Sequence, residues 1–167
     1  MNCIDRRQLL DLHERHAAAL VLFARQWCRQ PDDAVQEAMI QLTQQSPPPR
    51  DPVAWLYSTT RRRAMNLARA ERRRAEHHRR AAVLREDWFT VEPPESLDTE
   101  ALREALETLD PLDRQIVVAR VWGDLSFAQI AELIDRPISF VHRRYHGGLK
   151  TLQRRLSSDP CKRVSRP

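Results

Sequence analysis

Apolar positions along this chain recur at spacings of three and four, the period of helices that bury one face. Leu9, Leu12, His16, Leu20 and Phe23 form the inward stripe of a first helix. That helix is expected to end near Arg29 and Gln30, because Pro31 disfavours helix at the residue before it. Asp32 and Asp33 then open a second helix, where carboxylates favour the positive end of the macrodipole, and Val35, Met39 and Leu42 supply its buried side. The prolines between Ser46 and Arg50 exclude helix and predict an extended loop. After it Asp51 caps a third helix, on which Val53, Leu56, Tyr57, Thr60, Ala64 and Leu67 follow helical spacing. Arg61, Arg62, Arg63 and Arg69 occupy its other sides, and it continues through Arg72, Arg73, Arg74, Arg79 and Arg80, where apolar residues become scarce.

Farther along, Leu102, Leu106 and Leu109 align on one helix, and Asp110 and Pro111 open another that carries Ile116, Val117 and Val121. Gly123 and Asp124 lead into the segment SFAQIAELIDRPISFVHRRYHGGLKTL. Its Ser126 and Gln129 have the spacing of a capping box, with Ile130, Ala131 and Ile134 on one face of the helix that follows. Asp135 and Arg136 end that helix, and Pro137 suits the first turn of the next, where a missing N–H costs nothing. In this last helix Ile138, Val141, Tyr145, Leu149 and Leu152 make a buried stripe, which leaves His142, Arg143, Arg144, His146 and Lys150 facing outward. A short helix, a tight turn and a second helix with a basic outer face set that second helix for insertion into a major groove. Gly147 and Gly148 lie inside it at a cost of roughly 1 kcal/mol each relative to Ala. Two readings stay open for them: close approach to DNA backbone, or a loosened helix end.

Only three glycines occur, at positions 123, 147 and 148, and alternating β-branched runs are absent, so the fold expected is all-α. The acidic segment EDWFTVEPPESLDT, broken by Pro93 and Pro94, reads as a linker between two small helical domains, the C-terminal one a helix-turn-helix. Trp88 and Phe89 within it are expected to pack back onto a domain or meet a partner.

Net charge is +5, which by itself permits nucleic acid, an anionic membrane or an acidic partner. Its distribution is more selective. From Arg61 to Arg85 there are ten Arg against two Glu, whereas Glu92 to Asp113 carries eight acidic residues and one Arg. Two basic zones separated by an acidic stretch point to two phosphate-contacting surfaces. Cys3, Cys28 and Cys161 are scattered, with no C-x-x-C pair, so neither a disulfide framework nor a zinc site is indicated and a reducing compartment fits. The neighbouring His77 and His78 point apart on a helix and read as solvated surface rather than metal ligands. No cofactor or metal is expected. The N-terminus lacks an apolar stretch of the kind that targets secretion, and no run is long enough to span a bilayer, so a cytoplasmic protein is expected.

Two blocks, DDAVQEAMIQL with PVAWLYSTTRRRAMNLARAERRR and then residues 105–156, resemble in order the sigma subunits of bacterial RNA polymerase, specifically the compact extracytoplasmic-function group. The resemblance implies a core-docking and −10-reading domain over residues 1–85, a linker over 86–100 and a −35-reading domain over 101–160. It implies that Asp32, Asp33, Gln36 and Glu37 dock on the clamp of the polymerase largest subunit. Arg61, Arg62, Arg63, Asn66, Arg69, Arg72 and Arg73 would contact and help melt the −10 element, a task that needs a basic groove with groups able to meet unpaired bases. The loop from Gln44 to Asp51 would form a pocket for a flipped base. His142, Arg143 and His146 match base-facing positions of the recognition helix, with Arg144 and Lys150 suited to phosphates. The C-terminal domain would also bind the flap of the second-largest subunit, and an anti-sigma protein is a further possible partner. The free chain is expected to be a monomer. Asp135 stands where the family commonly has Gly, and Asp tolerates the left-handed conformation better than most residues.

Two other classes compete. A stand-alone helix-turn-helix regulator needs a dimer interface and a palindromic site, and no heptad run suggests one. A recombinase-like enzyme needs a metal-binding carboxylate cluster or an activated nucleophile, and Asp32, Asp33 and Glu37 are not completed by anything else in the sequence. The chain is therefore not expected to be an enzyme.

Overall fold

The computed structural model describes residues 4–79, 102 and 104–158. All regular structure among them is helical: α1 (Arg6–Ala24), α2 (Pro31–Thr43), α3 (Pro52–Arg79), α4 (Pro111–Val121), α5 (Phe127–Ile134) and α6 (Ile138–Ser158), with a short helical stretch at 104–107 ahead of α4. The linker, with Trp88 and Phe89, lies outside the described residues, as do the side chains of His77 and His78.

Local chemistry explains most of the boundaries. Asp5 starts α1 through a capping box, its carboxylate accepting from the Gln8 N–H at 2.7 Å while the Gln8 side chain accepts from the Asp5 N–H at 3.2 Å. Pro31 takes the first position of α2, with Asp32 and Asp33 in its first turn. The Asp51 carboxylate accepts from the Ala54 N–H at 3.0 Å at the head of α3, and Asp110 accepts from Leu112 at 2.9 Å at the head of α4. Ser126 and Gln129 close the expected box on α5. Asp135 turns the chain at φ 54°, ψ 56°, the left-handed conformation anticipated for it, and Asp124 is also left-handed at φ 54°.

Three expectations shift. α1 stops at Ala24 instead of running to Gln30: the chain turns so that the Trp27 ring packs edge-on to Phe23 at 5.0 Å and Cys28 buries with Ala24, Ala34 and Ala64, a tertiary gain that outweighs one more turn of helix. Ile138, placed on the buried stripe of α6, is 53 % exposed, because it lies in the first turn, ahead of the part of the helix that packs on the core. The 147–148 pair neither ends nor loosens α6, which continues to Ser158. A Cβ at Gly148 would sit 3.0 Å from Val117 Cγ2, so this glycine lets α6 lie close on α4, whereas Gly147 faces open space.

Helices α1, α2 and α3 pack together, as do α4, α5 and α6, and the two groups meet where α1 touches α4 and α3 touches α5. One apolar cluster runs through both groups: Leu20, Phe23, Leu42, Leu56 and Tyr57 on one side join Ile116, Val117, Leu125, Ile130 and Val141 on the other. No helix among the described residues is long and apolar enough to cross a membrane.

Candidate nucleic-acid interface

Helix α6 buries Val141 and Leu152, half-buries Tyr145 and Leu149, and turns His142, Arg143, His146 and Lys150 out to solvent. The inner stripe fixes the rotation of the helix, and the outer face follows from it. Rings then set the outer face: Phe127 of α5 lies edge-on to His142 at 5.0 Å and to Tyr145 at 5.3 Å, so the first helix of the motif props the second. The guanidinium of Arg143 lies 5.6 Å over Phe140. Lys150 stands one turn beyond His146 on the same face.

Arg144 is placed differently from the other four. Its Nη2 donates to Asp110 at 2.7 Å and its Nε lies 2.6 Å from Asp113, fastening α6 to the head of α4. Burial pushes the Asp113 carboxyl above its ordinary value, opposed by the Arg144 charge beside it. Sequence reasoning gave Asp110 only the start of a helix and Asp113 no role, although the two acids are one turn apart on the face that meets α6.

On α3, Arg62, Asn66, Arg69, Arg72 and Arg73 are exposed and form an open basic ridge. Arg61 and Arg63 are not free. Arg63 pairs at 3.0 Å with Glu37 of α2, and Arg61 donates at 3.4 Å to the backbone carbonyl of Leu133 on α5. The head of α3 is bound to the same helix, since the Gln129 amide donates to the Asp51 carboxylate. Between these two ties lies Tyr57, fully buried, with its hydroxyl against Gly123: a Cβ at position 123 would fall 2.6 Å from the phenol oxygen. That hydroxyl has no hydrogen-bond partner among the described residues, and burial raises its proton affinity well above the usual phenol range. Tyr57 is thus the deepest aromatic of α3, while Trp55 is only partly buried.

Asp32, Asp33, Gln36 and Glu37 of α2 are all exposed and divide by helical spacing. Asp32 and Gln36 border a groove between α1 and α2 lined by Leu9, His13, Met39 and Ile40, whereas Glu37, with Asp33 one turn before it, faces toward α3. The loop at 44–51 is short and partly exposed.

Family models match in the order the geometry suggests: sigma-70 region 2 over residues 12–74 and sigma-70 region 4 over residues 99–152. The chain belongs to the sigma-70 family. The match to region 2 spans α1 to α3 and the match to region 4 spans the helix-turn-helix, so this sigma factor is a DNA-binding protein of transcription initiation. Two solved structures share its fold. One is the sigma factor RpoE in complex with the anti-sigma factor NepR from Bartonella quintana, 19 % identical with a TM-score of 0.68, covering 93 % of this chain and 99 % of that one. The other is CnrH in complex with the cytosolic domain of CnrY, 21 % identical with a TM-score of 0.54, covering 93 % and 91 %. Comparison with curated proteins gave no match.

Proposed function

We propose that this sigma factor binds core RNA polymerase, reads a −35 element with α6 and a −10 element with α3, and helps to melt the duplex at the latter. The observation that carries the reading is the outer face of α6, where His142, Arg143, His146 and Lys150 stand exposed opposite the inner stripe of Val141, Tyr145, Leu149 and Leu152 in a chain matched by both sigma-70 regions. Arg143 is the residue suited to a bidentate guanine contact, the histidines meet neighbouring base edges, and Lys150 meets phosphate. Arg144, tied to Asp110 and Asp113, positions the helix rather than touching DNA. On α3 the exposed residues Arg62, Asn66, Arg69, Arg72 and Arg73 hold the displaced strand, with Asn66 able to meet a base edge. Asp32, Asp33, Gln36 and Glu37 offer the docking surface to the polymerase clamp, and the second domain meets the flap.

Spacing makes a demand on this mechanism. Elements centred about 25 base pairs apart lie ~85 Å apart at ~3.4 Å per step. In the free chain the −10 reader α3 and its head are hydrogen-bonded through Arg61 and Asp51 to Leu133 and Gln129 of α5, the helix that props the −35 reader. The halves therefore separate on the polymerase, releasing Arg61 for the −10 strand. One fold neighbour was solved with the anti-sigma factor NepR and the other with the cytosolic domain of CnrY, and a protein that grips the closed pair of halves is the kind of inhibitor this arrangement would accept.

Reconstitution with core polymerase and genomic DNA, followed by mapping of transcript starts, tests the reading. Starts that share an upstream and a −10 motif are expected; starts without a common motif, or none, contradict it. Asp33→Lys with Glu37→Lys is expected to abolish copurification with core enzyme, since like charges set against a partner cost several kcal/mol.

A further inference from the structure

The Nε2 atoms of His142 and His146 lie 3.2 Å apart on the exposed face of α6, with ring centroids 4.3 Å apart. Both rings are braced, His142 by Phe127 at 5.0 Å and His146 by Tyr145 at 5.4 Å. Two nitrogens each about 2.0–2.1 Å from a tetrahedral zinc ion are separated by roughly 3.3 Å. The pair therefore already has the bite of a two-imidazole chelate, and little ordering is needed to bind. We propose that His142 and His146 hold a divalent transition-metal ion on the recognition helix, and that the bound ion and promoter bases exclude one another at these two nitrogens.

The chemistry selects the class of ion. Imidazole nitrogen suits zinc, nickel and copper, while magnesium and calcium demand oxygen ligands. Among the described residues no group of three or more His, Cys, Asp or Glu surrounds a common point, so water completes the coordination and the ion exchanges readily. In the tautomer that joins the two rings, one Nε2 carries a proton and the other accepts it. On binding, that ring passes its proton through solvent to Nδ1 and both Nε2 lone pairs point to the metal, so the step involves no redox change. The second half of the proposal rests on the −35 reading of α6. An ion seated there caps the two nitrogens that would otherwise meet base edges, and metal level would thereby set how strongly the upstream element is used.

The probe is zinc chloride, added to the full-length chain. Nitrogen NMR of the histidine rings is expected to show two Nε2 resonances moving together along one binding curve. In His142→Asn and in His146→Asn the remaining ring should need at least about tenfold more zinc, since loss of an outer partner alone costs 10–100-fold in metal sites. Both positions are exposed, and unchanged circular dichroism checks that each variant folds. Independent titration of the two rings, or unaltered zinc binding in both variants, overturns the site. A second arm uses the polymerase-bound chain at a promoter with the upstream element: zinc should lower transcription and a chelator restore it. In His142→Asn the ratio of transcription with and without zinc should return to about one. Zinc held by the pair without any change in promoter use overturns the exclusion, whereas failure of the zinc-free reaction would count against the sigma reading instead.

Discussion

Helices α3 and α6 are both long, basic and exposed along one side, yet they spend their cations differently. α6 uses Arg144 to fix itself to α4 and leaves His142, Arg143, His146 and Lys150 facing solvent. α3 commits two of the three arginines nearest its head, Arg61 across to α5 and Arg63 across to α2, and keeps an open ridge from Arg62 onward. A helix that reads duplex DNA can be finished before its ligand arrives. Under the proposed function, one that seizes unpaired strand beside a second module stays partly masked until that module leaves, and the Tyr57 hydroxyl, without a partner among the described residues, is a polar group left unsatisfied at the contact.

The largest way to break this contrast is Tyr57→Ala. Removing a fully buried aromatic ring is expected to cost about 3–5 kcal/mol and to free the two halves from each other, read as a fall in denaturation midpoint together with faster amide exchange in α3 and α5. An unchanged exchange pattern in α5 would mean the ring stabilises its own half alone.

Arg144→Ala comes next, at about 1–3 kcal/mol, because it strands the partly buried Asp113 carboxylate. The Asp113 pKa is raised in the folded chain, so this group favours folding below its unfolded value and loses that contribution as pH rises through the folded one. Removing the arginine that lowers it widens this window upward, and the stability lost on substitution should grow as pH climbs from the acidic side. A pH-independent loss would show that the ion pair is not its source.

Arg143→Ala should leave stability within about 0.5 kcal/mol of the parent while removing about 1–3 kcal/mol of discrimination at one upstream base pair. Comparing initiation from matched and mismatched promoters measures it. The smallest effect is expected of Tyr57→Phe, which deletes the unpartnered hydroxyl without touching the ring and should stabilise the chain by about 1 kcal/mol, seen as a higher midpoint.

The sequence made legible what depends on neighbours a few residues away. Ser126 and Gln129, Asp51, Asp110 and the left-handed Asp135 were all readable from type and spacing, and the same D-x-x-Q logic would have found Asp5 and Gln8 at the head of α1. The stripes of α2 and α3 were equally plain, because a 3.6-residue period reports burial whatever the partner is. What escaped depends on partners distant in the chain. No local pattern says that Tyr57 seeks Gly123, that Gly148 admits Val117, or that Arg144 belongs to two aspartates a helix away. The outward direction expected on α6 holds for His142, Arg143, His146 and Lys150 but not for Arg144, which turns toward α4, because period cannot tell a cation facing solvent from one facing a carboxylate on the next helix.

The account turns on a chain that closes its two DNA readers together when free and parts them on the polymerase. Dyes attached through Ser58→Cys and Ala128→Cys, both exposed, in a chain with Cys3 and Cys161 changed to Ser and Cys28 left buried, report the separation of α3 and α5 by energy transfer. High transfer in the free chain that collapses on adding core polymerase and promoter is the predicted result. Transfer that stays high in complexes that initiate transcription would contradict it.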